Sequence, residues 1–198
     1  MSLLALAGCK TSTQGNATPT TSAPGTQTEA TQSGSPGVDA PKVTTPLDTA
    51  RSQQAPCDTL TQAQADEWLG PRAVAKPDLN GTAGPACSWY PPSDSIPNIR
   101  VIFTTKSTDG ITGVYRASGK QYKFFKPLPA IGGNPVAAYG TNDYRNTEGR
   151  CSVAVGATDQ STVDVSLVQS PANIGKKDPC DGAREIAGLV LDNIRKAR

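Results

Sequence analysis

Four cysteines between residues 57 and 180 constrain this sequence more than any other feature. They form no Cys-x-x-Cys pair, so their spacing does not match that of a zinc ribbon. Separated cysteines in a chain with features of export favour two disulfides, and three pairings are possible. We favour Cys57–Cys87 and Cys151–Cys180, because each bond closes a loop of about 30 residues and joins a terminal helix to a strand. Four buried free thiols are the alternative.

The fifth cysteine, Cys9, ends the stretch Leu6-Ala7-Gly8-Cys9, which matches a bacterial lipobox. The Cys9 thiol would receive diacylglycerol, and cleavage before Cys9 would free its amine for a third acyl chain. Each buried methylene contributes about 0.8 kcal/mol to membrane binding. The apolar run before it, Leu3–Ala7, is shorter than that of a usual signal peptide. We therefore interpret residues 1–9 as a truncated lipoprotein signal segment. An unrelated stretch of the same residues is the alternative.

Residues 10–54 consist mainly of Thr, Ser, Gln, Gly, Pro and Ala. A segment with so few large apolar side chains does not bury enough surface to offset its conformational entropy. We expect a disordered tether with an r.m.s. span of about 35–40 Å. The remaining residues, 55–198, are predicted to form a single disulfide-stapled domain.

Helices are predicted near both ends of this domain. Thr61 and Gln64 have the spacing of a capping box, and Gly70–Pro71 ends the helix that they begin. Asp178 is a predicted N-cap, with Pro179 at the first helical position. Apolar residues then follow at helical spacing: Ala183, Ile186, Ala187, Val190, Leu191 and Ile194.

Short strand-like runs lie between these helices, at residues 86–90, 99–105, 136–139, 152–157 and 162–168. The last two form a predicted hairpin in which valines alternate with outward-facing polar residues such as Asp164 and Ser166. A short helix is expected over 109–117 and an ordered loop over 124–135. These patterns predict an α+β fold, with an antiparallel sheet of about five strands, N-terminal and C-terminal helices, and two disulfides.

The order of several short motifs resembles a known group of proteins. The motifs are Pro56-Cys57-Asp58, Cys87-Ser88-Trp89, Gly132-Gly133-x-Pro135 and Pro179-Cys180. Over residues 55–196 the chain resembles actinobacterial cell-envelope lipoproteins of a domain-of-unknown-function family. The resemblance implies an extracytoplasmic lipoprotein with two disulfides and no assigned reaction. The cysteine layout also distantly resembles the extracellular sensor domains of mycobacterial serine/threonine kinases, a likeness that bears on the fold alone.

The composition argues against several classes of function. The chain has no histidine, which removes Ser-His-Asp and Cys-His catalysis and histidine-ligated zinc. Its 19 basic and 17 acidic residues lack the basic excess of nucleic-acid-binding proteins. It contains no P-loop, GxGxxG or GxSxG motif. We therefore predict no catalytic residue, metal, cofactor or nucleic-acid partner.

One stretch is a candidate ligand-binding rim for an anionic envelope component, such as a phospholipid headgroup or a wall polymer. Five basic residues between positions 106 and 126 are interleaved with aromatic residues and accompanied by a single acid, Asp109. The alternative is that the aromatic side chains are core and the basic side chains are solvated. The candidate rim consists of Lys106, Arg116, Lys120, Tyr122, Lys123 and Lys126.

Together these features predict a membrane-anchored extracytoplasmic lipoprotein that acts as a non-enzymatic binding or interaction module. Its expected partners are the membrane, through the lipid on Cys9, and a protein, lipid or glycan of the cell envelope. One alternative is a structural scaffold lipoprotein without a ligand pocket. The other is an envelope hydrolase that uses carboxylates alone, which requires two acids facing each other in a deep cleft.

Overall fold

The computed structural model describes residues 40–93 and 97–197 of the chain. The predicted signal segment with Cys9, and the predicted tether as far as residue 39, lie outside these described residues. Within the two described ranges, no helix combines the length and the hydropathy that a membrane span requires.

A seven-stranded antiparallel sheet forms the centre of the domain, with the strand order β1-β2-β3-β7-β6-β5-β4. The strands are β1 Val74–Asp78, β2 Ala86–Tyr90, β3 Asn98–Thr104, β4 Phe124–Ile131, β5 Asn134–Gly140, β6 Arg150–Thr158 and β7 Ser161–Val168. The helices are α1 Ala50–Gln54, α2 Gln62–Leu69, α3 Gly110–Ala117 and α4 Pro179–Lys196, with short 3₁₀ helices at Pro56–Thr59 and Pro171–Asn173. The predicted α+β class, antiparallel sheet and terminal helices are confirmed, whereas about five strands was too low a number.

The two edge strands account for this difference. No strand was predicted at β1, and β4 lies inside the predicted loop over 124–135, so that prediction is wrong. Both edges contain proline, Pro77 in β1 and Pro127 and Pro129 in β4. Proline has no N–H to donate and is tolerated on an edge strand, where one side has no neighbouring strand. Because these segments contain proline, the sequence pattern did not predict them as strands.

One face of the sheet carries the hydrophobic core and α4. Phe103, Val155 and Val165 point to this face and are almost completely buried. Helix α4 begins where the Asp178 side chain accepts a hydrogen bond from the Cys180 backbone N–H at 2.9 Å. It packs on β6 and β7 through its buried stripe of Ala183, Ile186, Ala187, Val190, Leu191 and Ile194.

Two disulfides fasten the ends of the domain to this sheet. Cys57–Cys87 joins the 3₁₀ helix before α2 to β2, and Cys151–Cys180 joins β6 to the first turn of α4. Both predicted pairings are therefore confirmed. The predicted capping box of α2 is present in both directions, between Thr61 and Gln64.

The segment that precedes α2 belongs to the folded domain. Leu47 is only 3% exposed, and its backbone N–H donates to the Ala157 carbonyl at 2.9 Å. The Thr44 N–H donates to the Gly133 carbonyl, and residues 50–54 form α1. The predicted end of the tether at residue 54 is therefore wrong, and the ordered domain includes residues 40–54. A single buried leucine and backbone hydrogen bonds to the end of the sheet hold a segment whose composition alone indicates disorder.

Candidate functional site

The face of the sheet opposite α4 is covered along only part of its length. Helix α3 packs there against β5, β6 and β7. It lies over a cross-strand row in which Ala137 and Ala154 are fully buried although they point away from α4. We call this the covered row, and it consists of Asp78, Ala86, Ile102, Asp164, Ala154, Ala137 and Pro127.

The next row along the strands on the same face lies beyond the covered row and carries mainly polar and aromatic side chains. Because antiparallel strands place directly opposed residues side by side, seven residues from seven strands form one line. We call this the open row, and it consists of Lys76, Ser88, Arg100, Ser166, Ser152, Tyr139 and Phe125.

A groove of about 500 Å³ lies over the open row, at the end of the sheet where β6 begins. This volume is within the usual range for small-molecule sites. Among the described residues, the lining contains two arginines, four aromatic rings, and hydroxyl and amide groups, but no carboxylate. The residues that line it are Asn98, Arg100, Tyr122, Phe124, Tyr139, Gly140, Thr141, Asn142, Tyr144, Arg150, Cys151, Ser152, Ser166 and Val168.

Hydroxyl groups and a guanidinium form the floor of the groove. The Ser152 and Ser166 Oγ atoms are 2.7 Å apart and share a hydrogen bond. Arg100 donates from Nη1 to the Ser88 Oγ at 3.2 Å and from Nη2 to the Asp78 carboxylate at 3.3 Å. Hydrogen bonds along the row therefore fix the position of these polar groups before any ligand arrives.

Two tyrosines form one wall of the groove. The rings of Tyr122 and Tyr139 are 4.7 Å apart between centroids and inclined at 50°. The Tyr139 hydroxyl donates to Oδ2 of Asp164 in the neighbouring covered row, at 3.1 Å. Burial raises the pKa of Tyr139 well above its ordinary value, and the charge of Asp164 acts in the same direction. Tyr139 is therefore a neutral, fixed part of the wall at physiological pH.

The other wall is built on the connection between β5 and β6. Arg150 lies over the ring of Tyr144, 4.4 Å from its centroid, and pairs with Glu148 at 3.2 Å. Arg145 pairs with Asp143 at 2.8 Å and with Asp178 at 3.1 Å, which ties this connection to the start of α4. The hydrogen bond from Arg145 lowers the pKa of the Asp143 carboxyl. The wall is therefore held by ion pairs and a stacked ring.

Asp164 lies beside the groove, two residues before Ser166 on β7. Its Oδ2 accepts hydrogen bonds from Tyr139 and, at 3.2 Å, from Thr104. Its Oδ1 is buried without a hydrogen-bond partner among the described residues. Burial raises the pKa of Asp164, and hydrogen bonding from the side chains of Thr162, Tyr139 and Thr104 opposes that shift. Removing a charged carboxylate from water is the dominant cause.

The structure does not bring the predicted rim residues together at one site. Tyr122 lines the groove, but none of the five basic residues of the rim does. Arg116 points away on α3 and pairs with Asp109. Lys106 follows β3 at the end opposite the groove, and Lys126 lies on the edge strand β4. Lys120 and Lys123 flank Tyr122 in the connection from α3 to β4 and are exposed.

Sequence reasoning missed the two arginines of the groove. Arg100 and Arg150 are 50 positions apart, and the sheet order places only β7 between their strands. The signal present in the sequence is a polar residue on the outward side of a predicted strand. It identified Ser166 as outward-facing, but it did not show that Arg100 and Ser152 lie next to Ser166 on the neighbouring strands. Across the two described ranges, no group of three or more Asp, Glu or Cys side chains is arranged to hold a metal ion.

The chain matches one family model, described as protein of unknown function (DUF3558), over residues 4–193. No curated protein and no solved structure matches the chain. The matched range contains all of the groove residues and the four disulfide cysteines.

Proposed function

We propose that this chain, which belongs to the DUF3558 family of proteins of unknown function, is an extracytoplasmic lipoprotein that acts as a non-enzymatic binding module. The family agrees with the resemblance to a domain-of-unknown-function family, and the proposed role is argued from the residues of this chain. The finer parts of that resemblance, an actinobacterial source and a lipid anchor on Cys9, belong to this proposal. The groove over the open row is the proposed binding site.

Two features support a location outside the cytoplasm. The Cys57–Cys87 and Cys151–Cys180 disulfides form and persist in oxidising compartments. The lipobox residues before Cys9 favour lipid attachment at that thiol. With two or three acyl chains on Cys9, membrane binding is stable, because a single chain gives only marginal binding.

The groove is the observation that carries the binding role. Its two arginines, its rings and its hydroxyl floor converge on one cavity of about 500 Å³. A few fixed polar groups in a concave site are typical of small-molecule recognition. No carboxylate in the described part of the chain lines the groove, so this site favours binding over the alternative of hydrolysis by paired acids. It also favours a ligand-binding module over a scaffold without a pocket.

The position of the groove suits a protein held by its N-terminal segment. Val43 lies beside Asp159 at the β6–β7 turn, with the Val43 N–H 3.4 Å from the Asp159 carboxylate. The groove lies at the other end of β6, near Arg150. Nine residues of strand separate these ends, which corresponds to about 30 Å. The described N-terminal segment therefore joins the sheet at the end away from the groove.

The anchoring part of the proposal is tested by membrane fractionation of cells that express the full chain. We expect the wild-type protein in the membrane fraction and the Cys9→Ala variant in the soluble extracytoplasmic fraction. Lys10→Ala, which keeps the lipobox, is the matched control and should stay with the membrane. A Cys9→Ala protein that remains membrane-bound would contradict the lipid anchor.

The binding part is tested with a variant that fills the groove. In Ser166→Phe, a phenyl ring occupies the floor beside Ser152, whereas Ser107→Phe places the same ring on an exposed loop outside the groove. The full-length proteins are incubated with the low-molecular-weight fraction of the cell envelope, and retained compounds are identified by mass spectrometry. Wild type and Ser107→Phe should retain a compound that Ser166→Phe does not. Equal retention by all three proteins would contradict binding in the groove.

A further inference from the structure

We infer that the ligand of the groove is an anionic carbohydrate, meaning a glycosyl unit that carries a carboxylate or a phosphate. This inference rests on the proposed function and names the ligand class of the same site. Three properties of the groove support it: the charge of its lining, its hydroxyl floor and its aromatic walls.

The charge of the lining favours an anion. Arg100 on β3 and Arg150 on β6 both line the groove, and no Asp or Glu within residues 40–93 or 97–197 does. Asp78 and Glu148 each contact one of these arginines through a single nitrogen, Nη2. A guanidinium has five N–H donors in a planar fork that matches carboxylate and phosphate oxygens. The two arginines therefore retain donor capacity for an anionic ligand.

The floor and walls favour a sugar over other anions. The Ser152 and Ser166 hydroxyls share one hydrogen bond, which leaves the pair one O–H donor and free acceptor lone pairs for the hydroxyl groups of a sugar. Tyr122 and Tyr139 present ring surface beside this polar floor, and flat apolar surface next to hydrogen-bonding groups suits the mixed faces of a pyranose. A sugar with one acidic group can pair with an arginine, hydrogen-bond to the serine hydroxyls and pack on a tyrosine ring at the same time.

Two other ligand classes fit this groove less well. An acyl chain needs a lining without polar groups, and here the floor is two serines and an arginine. An extended peptide binds by pairing with an exposed strand edge. The strands that carry the floor residues Arg100, Ser166 and Ser152 are β3, β7 and β6, which are internal and paired on both sides.

The test is an NMR titration of the full chain with assigned backbone amides. The probes are glucuronic acid, glucose 6-phosphate and glucose, with acetate and inorganic phosphate as anions without a sugar. We expect both acidic sugars to shift the amides of Gly140, Ser152 and Ser166. Glucose should bind about tenfold more weakly or worse, because it lacks the charge-assisted hydrogen bonds to arginine. Acetate and phosphate should also bind at least tenfold more weakly than the sugar that carries the same group.

Matched arginine variants locate the binding site. Arg100→Gln and Arg150→Gln should each weaken binding of the acidic sugars about tenfold. Arg116→Gln removes an exposed arginine that lies outside the groove, and it should leave the affinity unchanged. An unchanged amide spectrum away from the substituted residue shows that each variant is folded.

Each unfavourable result overturns a defined part of the inference. Glucose that binds as tightly as glucuronic acid would exclude an anion requirement. Inorganic phosphate that binds as tightly as glucose 6-phosphate would exclude a carbohydrate requirement. If no probe shifts the groove amides while the envelope fraction still does, the ligand class is wrong and the proposed function stands. If the envelope fraction also has no effect on them, the proposed function itself fails.

Discussion

Asp164 brings a half-buried carboxylate into the covered row. Its Oδ1 has no hydrogen-bond partner in the described part of the chain, and Tyr139 and Thr104 both donate to Oδ2. Burial raises its pKa because the charged form loses hydration that hydrogen bonding from Thr162, Tyr139 and Thr104 replaces only in part. Because Tyr139 donates a hydrogen bond to Asp164, the protonation state of Asp164 affects how the tyrosine wall of the groove is held.

The raised pKa predicts a particular dependence of stability on pH. The folded protein holds the Asp164 proton more tightly than the unfolded chain, in which the pKa is about 3.9. The contribution of Asp164 to the free energy of unfolding is thus full below that pH and is lost as the pH rises through the raised value. We expect the difference in stability between wild type and Asp164→Asn to change over this window, as measured by urea unfolding at a series of pH values. A constant difference across the series would contradict the account.

Asp178 is a second residue with two contacts, since it caps α4 and also pairs with Arg145. Asp178→Ala should lower the free energy of unfolding by about 1–2 kcal/mol, because the helix loses its N-cap. Asp178→Asn keeps a capping oxygen and should cost less than about 1 kcal/mol, the usual value of a solvent-accessible ion pair. Chemical denaturation measures both variants. Equal losses would show that the ion pair, and not the cap, stabilises this end of the helix.

At the scale of elements, each disulfide fastens one end of the domain to the central sheet. The two bonds span 30 and 29 residues, so the chain-entropy model assigns both about 3.5 kcal/mol. The double variants Cys57→Ala/Cys87→Ala and Cys151→Ala/Cys180→Ala should therefore lose similar amounts of stability, as measured by chemical denaturation. A loss confined to one pair would show that strain or unfolded-state structure outweighs loop closure.

The segment before α1 contributes to stability through one buried side chain. Leu47→Ala should cost about 2–4 kcal/mol, because Leu47 is 3% exposed and its truncation leaves a cavity. Leu79→Ala is the matched control, since Leu79 is 53% exposed and should lose less than about 0.5 kcal/mol. Thermal or chemical unfolding of the two full-length variants separates these outcomes. Equal effects would place the boundary of the domain after residue 47.

Local sequence signals predicted some elements and missed others for physical reasons. The capping box of α2, the capped amphipathic α4 and the β6–β7 hairpin depend on short-range patterns, and the sequence indicated all three. Strands β1 and β4 contain proline, and the segment around Leu47 has a disordered composition. Those elements exist because the sheet provides hydrogen-bond partners and apolar surface that no local pattern reveals.

At the scale of the whole molecule, the two faces of one sheet have different environments. The face under α4 is the hydrophobic core, and the opposite face is divided between the row under α3 and the groove. The groove could not be predicted from sequence, because its floor is a row across several strands that depends on strand order and register. Arg100, Ser166 and Ser152 become neighbours only through pairings between β3, β7 and β6.

The central claim is that the protein is lipid-anchored and binds a ligand in its groove. Native mass spectrometry of the full protein released from its own membrane tests this claim most directly. We predict a chain that begins at Cys9, carries acyl chains, and retains a small molecule that the Ser166→Phe variant lacks. On reduction it should gain four hydrogens, two for each disulfide. A chain that keeps Met1, without acyl mass, without a change on reduction and without a bound compound, would contradict the account.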